Sequence, residues 1–431
     1  ADGRLEAVPG GTYRLTGELG ELSLPDSLRA LVAARLDVLD AADRSLIQDA
    51  TVLGQAFDHR ALAAVTEQTE EVVETRLRSL VKRELLEILV DPDSPERGQF
   101  SFVQSVIREV AYDTFSRHDR RTRHQAAARY YEASGDEELA AVLATHYLAA
   151  YEATDEGPDA DALRTQARLA LRRAAERASS LGAYEQSVAH LDAALEITDD
   201  AVEQAQLHAD LAAVGQAAAR FDEAIEHADS AVSIFDRAGR ESDALRALAS
   251  LATVHLEAGH LEESKRILEA TIERARSADG GLRADLLSRL SRAHMRLNET
   301  REAIDVADAA LALAEPRGLE RVVTEALINK GSALSRRSRF HEPLLLLRGA
   351  ADLAEQAGDV EQQLRATMNL GVTKRAQDMP WMMETWRSVL EMARRQGRRM
   401  YVEWITAFMP YFMVIEGRDW DGALEMALAG L

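Results

Sequence analysis

"RFDEAIEHA" (residues 220–228), "HLEESKRIL" (260–268) and "DWDGALEMA" (419–427) each set a bulky residue just behind a helix-to-helix turn and then run on as helix. The same mark falls at Tyr184, Phe221, Leu261, Thr300, Phe340, Trp381 and Trp420, in steps of 37, 40, 39, 40, 41 and 39 residues. Thr300 breaks the apolar rule, but "REAI" behind it keeps the register. Upstream of each mark lies a mostly small residue: Ala175, Ala212, Ala252, Ser291, Gly331 and Gly371, with Tyr411 the exception. Small side chains there let two helices approach closely. Gly239, Gly280, Gly318, Gly358 and Gly397 are expected to end the second helices, where a left-handed C′ residue favours Gly. Helix, turn, helix, Gly at a period near 40 predicts a solenoid of about seven helical hairpins over 163–431, the last incomplete.

Composition agrees with a mainly α chain. Hydrophobic residues make up 46% of the 431, aromatics only 5%, and Gly and Pro are few. The formal charge of −22 disfavours nucleic acid and anionic membrane surfaces, because binding would add like charge instead of releasing counterions. The absence of Cys excludes disulfides, thiolate metal sites and Cys nucleophiles, and fits a reducing compartment. No window is apolar enough to span a bilayer, and no basic-then-apolar signal opens the chain. A start without Met and an end inside a helix are read as a fragment of a larger cytoplasmic protein.

Residues 1–160 lack the repeat. "LPDSLRALVAARLDVLD" reads as a helix entered through Pro25 and Asp26, and 43–54, 58–66 and 70–84 as further amphipathic helices, the last with Val73, Leu77 and Leu80 on one face. "LLEILVD", a turn at "PDSPERG" and "QFSFV" read as a β-hairpin. Three helices and a hairpin predict a winged helix. The expected organisation is a helical tail at 1–40, a winged-helix domain at 41–133, a helix and acidic linker at 134–162, and the solenoid from 163.

The repeat is longer than the 34 residues of the standard tetratricopeptide unit but resembles the longer variety found in bacterial regulatory ATPases. Armadillo or HEAT-type repeats are the alternative. "LPDSLRALVAARLDVLDAADRSLIQDATVLGQAF", "LRSLVKRELLEIL", "FSFVQSVIREVAYDTFSRHDRRTRHQAAARYY" and "ATHYLAAYEAT" resemble the region behind the ATPase core of STAND signal-transduction ATPases, most of all those fused to class III adenylate/guanylate cyclases. The resemblance runs through most of 12–200. It implies an ATPase and a cyclase upstream, with ATP or ADP and Mg bound by that parent protein. This chain has no G-x-x-x-x-G-K-[ST] loop, so no cofactor and no enzymatic activity are expected of it alone.

The family's winged helix carries a His that approaches the ADP phosphates. On matching "IREVAYD", that position is Gln104, which keeps a hydrogen-bond donor but cannot become cationic; Arg108, one turn on, is the implied substitute. Read from the residues alone, Gln104 is a solvated cap and Arg108 pairs with Glu109 or Asp113.

Arg117, His118, Arg120, Arg121, Arg123, His124 and Arg129 form a basic run that raises the possibility of DNA binding. Against that, Glu70, Glu71, Glu74 and Glu84 offset Arg76, Arg78, Lys82 and Arg83 on the presumed recognition helix. The Arg face is expected to dock on Asp136, Glu137 and Glu138 or on the ATPase. The eleven His offer no helical zinc spacing, and His255 and His260 are expected to diverge. All four Trp and nine of ten Met lie beyond Thr367. "MYVEWITAFMPYFMVIEG" (400–417) is apolar almost all round, predicting a helix covered on every side and kinked by Pro410. Either it packs between repeats, or Trp404, Phe408 and Tyr411 line a groove for a partner helix or apolar ligand. The function expected is that of a sensor arm taking a protein or small-molecule effector and contacting its own ATPase domain, with self-association compatible. A constitutive scaffold and the sensor of a transcription regulator are the alternatives.

Overall fold

The computed structural model describes the chain except residues 1–4, 9–11, 16–25, 90–97, 338–340, 376, 418 and 430–431. It divides into two units, 1–170 and 171–431, and the division falls within one helix. Among the described residues there are 21 α-helices and five short strands.

The first unit opens with a hairpin, β1 (Leu5–Val8) and β2 (Thr12–Leu15), paired antiparallel. Then come α1 (Asp26–Asp37), α2 (Ala41–Thr51), β3 (Ala56–Phe57), α3 (His59–Thr66), α4 (Glu70–Lys82), β4 (Leu86–Ile88), β5 (Phe100–Phe102), α5 (Ser105–Asp113), α6 (Arg117–Ser134) and α7 (Ala140–Glu152). Asp40 and Asp58 accept hydrogen bonds from the first free N–H groups of α2 and α3, which fixes both starts. Val73, Leu77 and Leu80 of α4 are fully buried, as their spacing requires. The sheet runs β3-β5-β4, all antiparallel. The two-residue strand β3 escaped the sequence reading because "AF" carries no alternation. The turn expected at "PDSPERG" lies mostly outside the described residues. Helix α1 does not belong to a separate tail: Val32 and Leu36 share one core with Leu46, Leu77, Phe102 and Ile107.

The expected linker is cut short by α7 and the next helix, α8 (Pro158–Ser180): after Glu152 only residues 153–157 lie outside helix. Six further hairpins follow, so that first and second helices alternate: α9 (Tyr184–Glu196); α10 (Ala201–Ala217) and α11 (Phe221–Arg237); α12 (Glu241–Glu257) and α13 (Leu261–Arg274); α14 (Gly280–Arg296) and α15 (Thr300–Ala314); α16 (Glu320–Ser335) and α17 (His341–Gln356); α18 (Val360–Lys374) and α19 (Met379–Arg395); α20 (Arg399–Phe412) and α21 (Trp420–Ala429). This is the repeat solenoid that the period predicts. Tyr184, Phe221, Leu261, Thr300 and Trp420 are each the first residue of a second helix, and Trp381 is one of the first three.

The small positions do what close packing asks of them. A Cβ on Gly331 would sit 2.9 Å from Leu347 Cγ, and one on Gly371 only 2.8 Å from Trp386 Nε1. Ser187 and Ser264 donate across the hairpin to the carbonyls of Ala175 and Ala252 at 2.8 and 2.6 Å. Gly239, Gly318, Gly358 and Gly397 take φ between +63° and +68°, the left-handed turn predicted for them. Gly280 is a correction: it is the first residue of α14, behind Asp279, which accepts from the N–H of Gly281 at 2.8 Å. Here α13 closes early, on Ala275, without a Gly.

Candidate ligand-binding face of the repeat unit

Helices α12, α14, α16, α18 and α20 start in one register, which places equivalent residues in rows. One row holds Arg246, Asp285, Glu325, Arg365 and Trp404. The next holds Ser250, Arg289, Asn329, Asn369 and Phe408, and a third Thr253, Arg292, Ser332, Val372 and Tyr411. Glu257, Arg296 and Arg336 continue a turn further.

Ion pairs and hydrogen bonds run within and between the helices along these rows. Arg292 reaches Glu257 at 2.5 Å, and Arg289 bonds Asp285 at 2.8 Å and the Thr253 hydroxyl at 2.6 Å. Arg365 pairs with Glu325 at 3.3 Å and donates to the Asn329 side-chain oxygen, while the Asn329 amide donates to Ser288 O at 2.9 Å. Burial by itself would raise the Glu325 carboxyl, but Arg365, Arg289 and Arg292 around it hold it below the ordinary range. Tyr401, buried, donates to Glu361 at 2.8 Å, and burial pushes its phenol far above its usual value.

The face opens at both ends of this buried centre. Between α12 and α14 a cavity of about 400 Å³ is lined by Ser242, Arg246, Ser250, Leu282, Asp285 and Arg289. At α20 the polar rows turn aromatic. Trp404 lies 4.6 Å from Phe408, centroid to centroid; Phe408 and Tyr411 are 47% and 62% exposed. The stretch 400–417 is therefore not covered on every side. Tyr401, Ile405, Met409 and Phe412 are buried, whereas Met400, Phe408, Tyr411 and Ile415 face outward. Pro410 lies in the last turn of α20, followed by a five-residue π-helical turn at Met413–Gly417.

In the first unit, Gln104 is the exposed cap residue of α5 and its side chain makes no capping bond. Arg108 pairs with neither expected carboxylate: its Nε donates to Thr51 O at 3.1 Å, tying α5 to the end of α2. Asp113 instead meets Arg29 at 3.3 Å. The basic face of α6 docks on carboxylates, but on other ones than expected: Arg123 on buried Asp49 at 2.7 Å, Arg117 on Asp155 and Arg121 on Asp159. On α4, Arg78 pairs with Glu74 and Arg76 with Asp43.

Histidines pair in ways the spacing did not reveal. His255 and His260 do not diverge; their Nδ1 atoms are 3.3 Å apart, because α12 ends at Glu257 and Gly259, at φ +86°, folds the chain back. His124 and His146, buried on α6 and α7, meet at 3.0 Å. Among the described residues no group of three or more His, Asp or Glu is placed to hold a metal, and no helix is long and apolar enough to cross a membrane.

No family model and no curated protein matches the chain. Solved structures do. The Rap conjugation gene regulator of plasmid pLS20, in complex with the Phr* peptide, is 10% identical with a TM-score of 0.52, over 73% of this chain and 88% of its own. A Rap protein complexed with competence and sporulation factor is 11% identical, TM-score 0.49, over 93% and 96%. A STAND protein with a tetratricopeptide repeat sensor from Pyrococcus horikoshii is 12% identical, TM-score 0.42, and the match covers 95% of this chain but only 66% of that one. At these identities the likeness speaks for the fold alone: a mainly α, tetratricopeptide-like solenoid.

Proposed function

We propose that this chain is the winged-helix and sensor portion of a STAND-type ATPase, whose repeats bind an effector peptide or protein along the first-helix rows. The observation that carries the reading is the face itself: a cavity and a polar ladder at one end, and exposed aromatics in the same register at the other. The pLS20 regulator of similar fold holds a peptide, which supports that class of ligand. The order helix, strand, two helices and paired strands from Ala41 to Phe102 supports the winged-helix reading. In the resting parent, with ADP and Mg on an upstream ATPase, this unit clamps the nucleotide domain through the α5 start. Gln104 is free to reach a phosphate there, while Arg108 is already spent on Thr51. Effector binding releases the clamp only by favouring the open state over the closed one, and a nucleotide cyclase is the output.

The test is direct. The coding sequence upstream of residue 1 is read for a G-x-x-x-x-G-K-[ST] loop, and nucleotide occupancy of the full-length protein is compared with that of its Gln104→Ala variant. Lack of a phosphate loop sinks the ATPase reading; unchanged occupancy sinks the clamp.

A further inference from the structure

The charge of the first-helix face is opposite to that of the chain. Overall, 73 carboxylates outnumber 51 Lys and Arg. Along the rows the balance reverses: Arg246, Arg289, Arg292, Arg296, Arg336 and Arg365 stand against Glu257, Asp285 and Glu325. The reversal does not come from solvated side chains at random, since Arg365 is buried and the Arg289 and Arg292 side chains are only 29% and 20% exposed.

The two members nearest open space are not locked inside this ladder. Arg246, with a 67% exposed side chain on the rim of the 400 Å³ cavity, has only its neighbour Asp243 at 3.2 Å. Arg336, exposed, donates to Met295 O at 2.7 Å and to the Asn298 side-chain oxygen, both neutral. At α20 the same rows offer Trp404, Phe408 and Tyr411, an apolar platform with no charge of its own.

We propose that this face is built for an acidic peptide carrying a large apolar residue, with carboxylates received at Arg246 and Arg336 and the apolar side chain set on Trp404, Phe408 and Tyr411. The proposal rests on the peptide-binding reading above and adds charge and polarity to it. An Arg fork donates to both oxygens of a carboxylate at once, and a net positive groove in a negative protein concentrates and orients an anionic segment. Aromatic anchors supply contact area that ion pairs in water do not. A basic peptide would meet the excess of arginine over carboxylate in these rows as like charge.

Selection of a random twelve-residue display library on residues 1–431 tests this, with the Arg246→Glu/Arg336→Glu and Phe408→Ala variants as counter-selections. All three positions are exposed, so the fold is expected to survive, and thermal denaturation checks it. The expected pool is enriched in Asp and Glu together with Trp, Phe or Leu. A selected peptide then loses at least tenfold in affinity to each variant, and its binding weakens as salt rises. A pool that binds but is basic or uncharged overturns the acidic assignment and leaves peptide binding intact. Acidic peptides indifferent to both variants overturn the assignment to these rows. No enrichment at all overturns the peptide-binding reading itself.

Discussion

Lowering the pH from 8 to 5 should loosen the first unit through two histidines. His124 and His146 are 5% and 3% exposed, their Nδ1 atoms are 3.0 Å apart, and His124 Nε2 meets the Tyr112 hydroxyl at 2.9 Å. Tyr131 stacks on His146. With both rings kept neutral by burial, one Nδ1–H donates to the other Nδ1, and α5, α6 and α7 are tied by a single hydrogen-bonded chain. Burial, then the neighbouring His146, Arg108 and Arg120, holds His124 down to about 3; burial holds His146 down to about 4. In the unfolded chain both return to about 6.5. The unfolded state therefore binds more protons below pH 6.5. The stabilisation is complete above that value and is lost as pH falls toward the folded values. Because pH 5 lies about 1.5 units below the unfolded value while both rings are still neutral when folded, the cost is about 2 kcal/mol per ring and about 4 kcal/mol for the pair. Asp49, whose burial raises its carboxyl, acts with the opposite sign over lower pH, so a variant is needed as the reference. All four Trp lie in the second unit, and their fluorescence reports the wrong transition. Urea midpoints for α5–α7 from pulsed hydrogen exchange at pH 8 and pH 5 give the right one. His124→Phe/His146→Phe keeps the ring packing, loses stability at pH 8 because the Tyr112 hydroxyl loses its partner, and should lack about 4 kcal/mol of the pH dependence. Equal pH dependence in wild type and variant refutes neutral burial of the pair.

Glycines in the second unit should split by surroundings. Gly371→Ala drives a Cβ into Trp386 and should cost about 1–3 kcal/mol, whereas Gly349→Ala, inside α17 with nothing within 4 Å, should stabilise by up to about 1 kcal/mol; Trp fluorescence during urea unfolding distinguishes them. Arg365→Leu leaves Glu325 buried without its nearest cation and should destabilise by about 3–5 kcal/mol, whereas Arg246→Ala on the open rim should change stability by under about 0.5 kcal/mol. Arg123→Ala removes the cation beside the buried Asp49 carboxylate, leaving it the Ser45 side chain, and should cost about 3 kcal/mol at pH 7. That loss should shrink on acidification, because burial favours the protonated carboxyl; a loss independent of pH would mean that Asp49 is solvated.

What was legible in the chain was whatever is set by local chemistry repeated in register. The second-helix marks, the small positions and four of five Gly turns were readable because helix contact distance and left-handed backbone each admit few residue types. What failed were inferences about which face of an element is covered. The run 400–417 is apolar by composition, but only a neighbour decides whether Phe408 and Tyr411 are buried, and α19 covers the opposite side, with Trp386 against Phe412. The basic run of α6 signalled carboxylate partners without saying which, since ion pairs between helices carry no spacing rule. His255 and His260 illustrate a third cause: an i,i+5 spacing means divergence on one helix and convergence across a turn, and the turn was the unread element.

The charged rows show why a site of this kind hides from sequence. Within any one first helix, Arg289 and Asp285, or Arg365 and Glu361, look like ordinary solvated helix charges. Only when five helices are set side by side do Arg246, Asp285, Glu325 and Arg365 become one line, with Trp404 at its end. Such a line joins residues about one repeat apart, so its members are chosen by their neighbours in adjacent hairpins and not by the helix they belong to. The buried centre, Arg365 with Glu325 and Asn329, fixes how consecutive hairpins stack, because either partner left alone would be costly in low dielectric. Arg246, on the open rim, has no such duty, since its partner Asp243 stands on the same helix. A ligand that pairs with Arg246 would therefore gain that contact without breaking the ladder that holds the repeats in register. That separation between structural and available charge would let the proposed peptide bind without unfolding the support of the face.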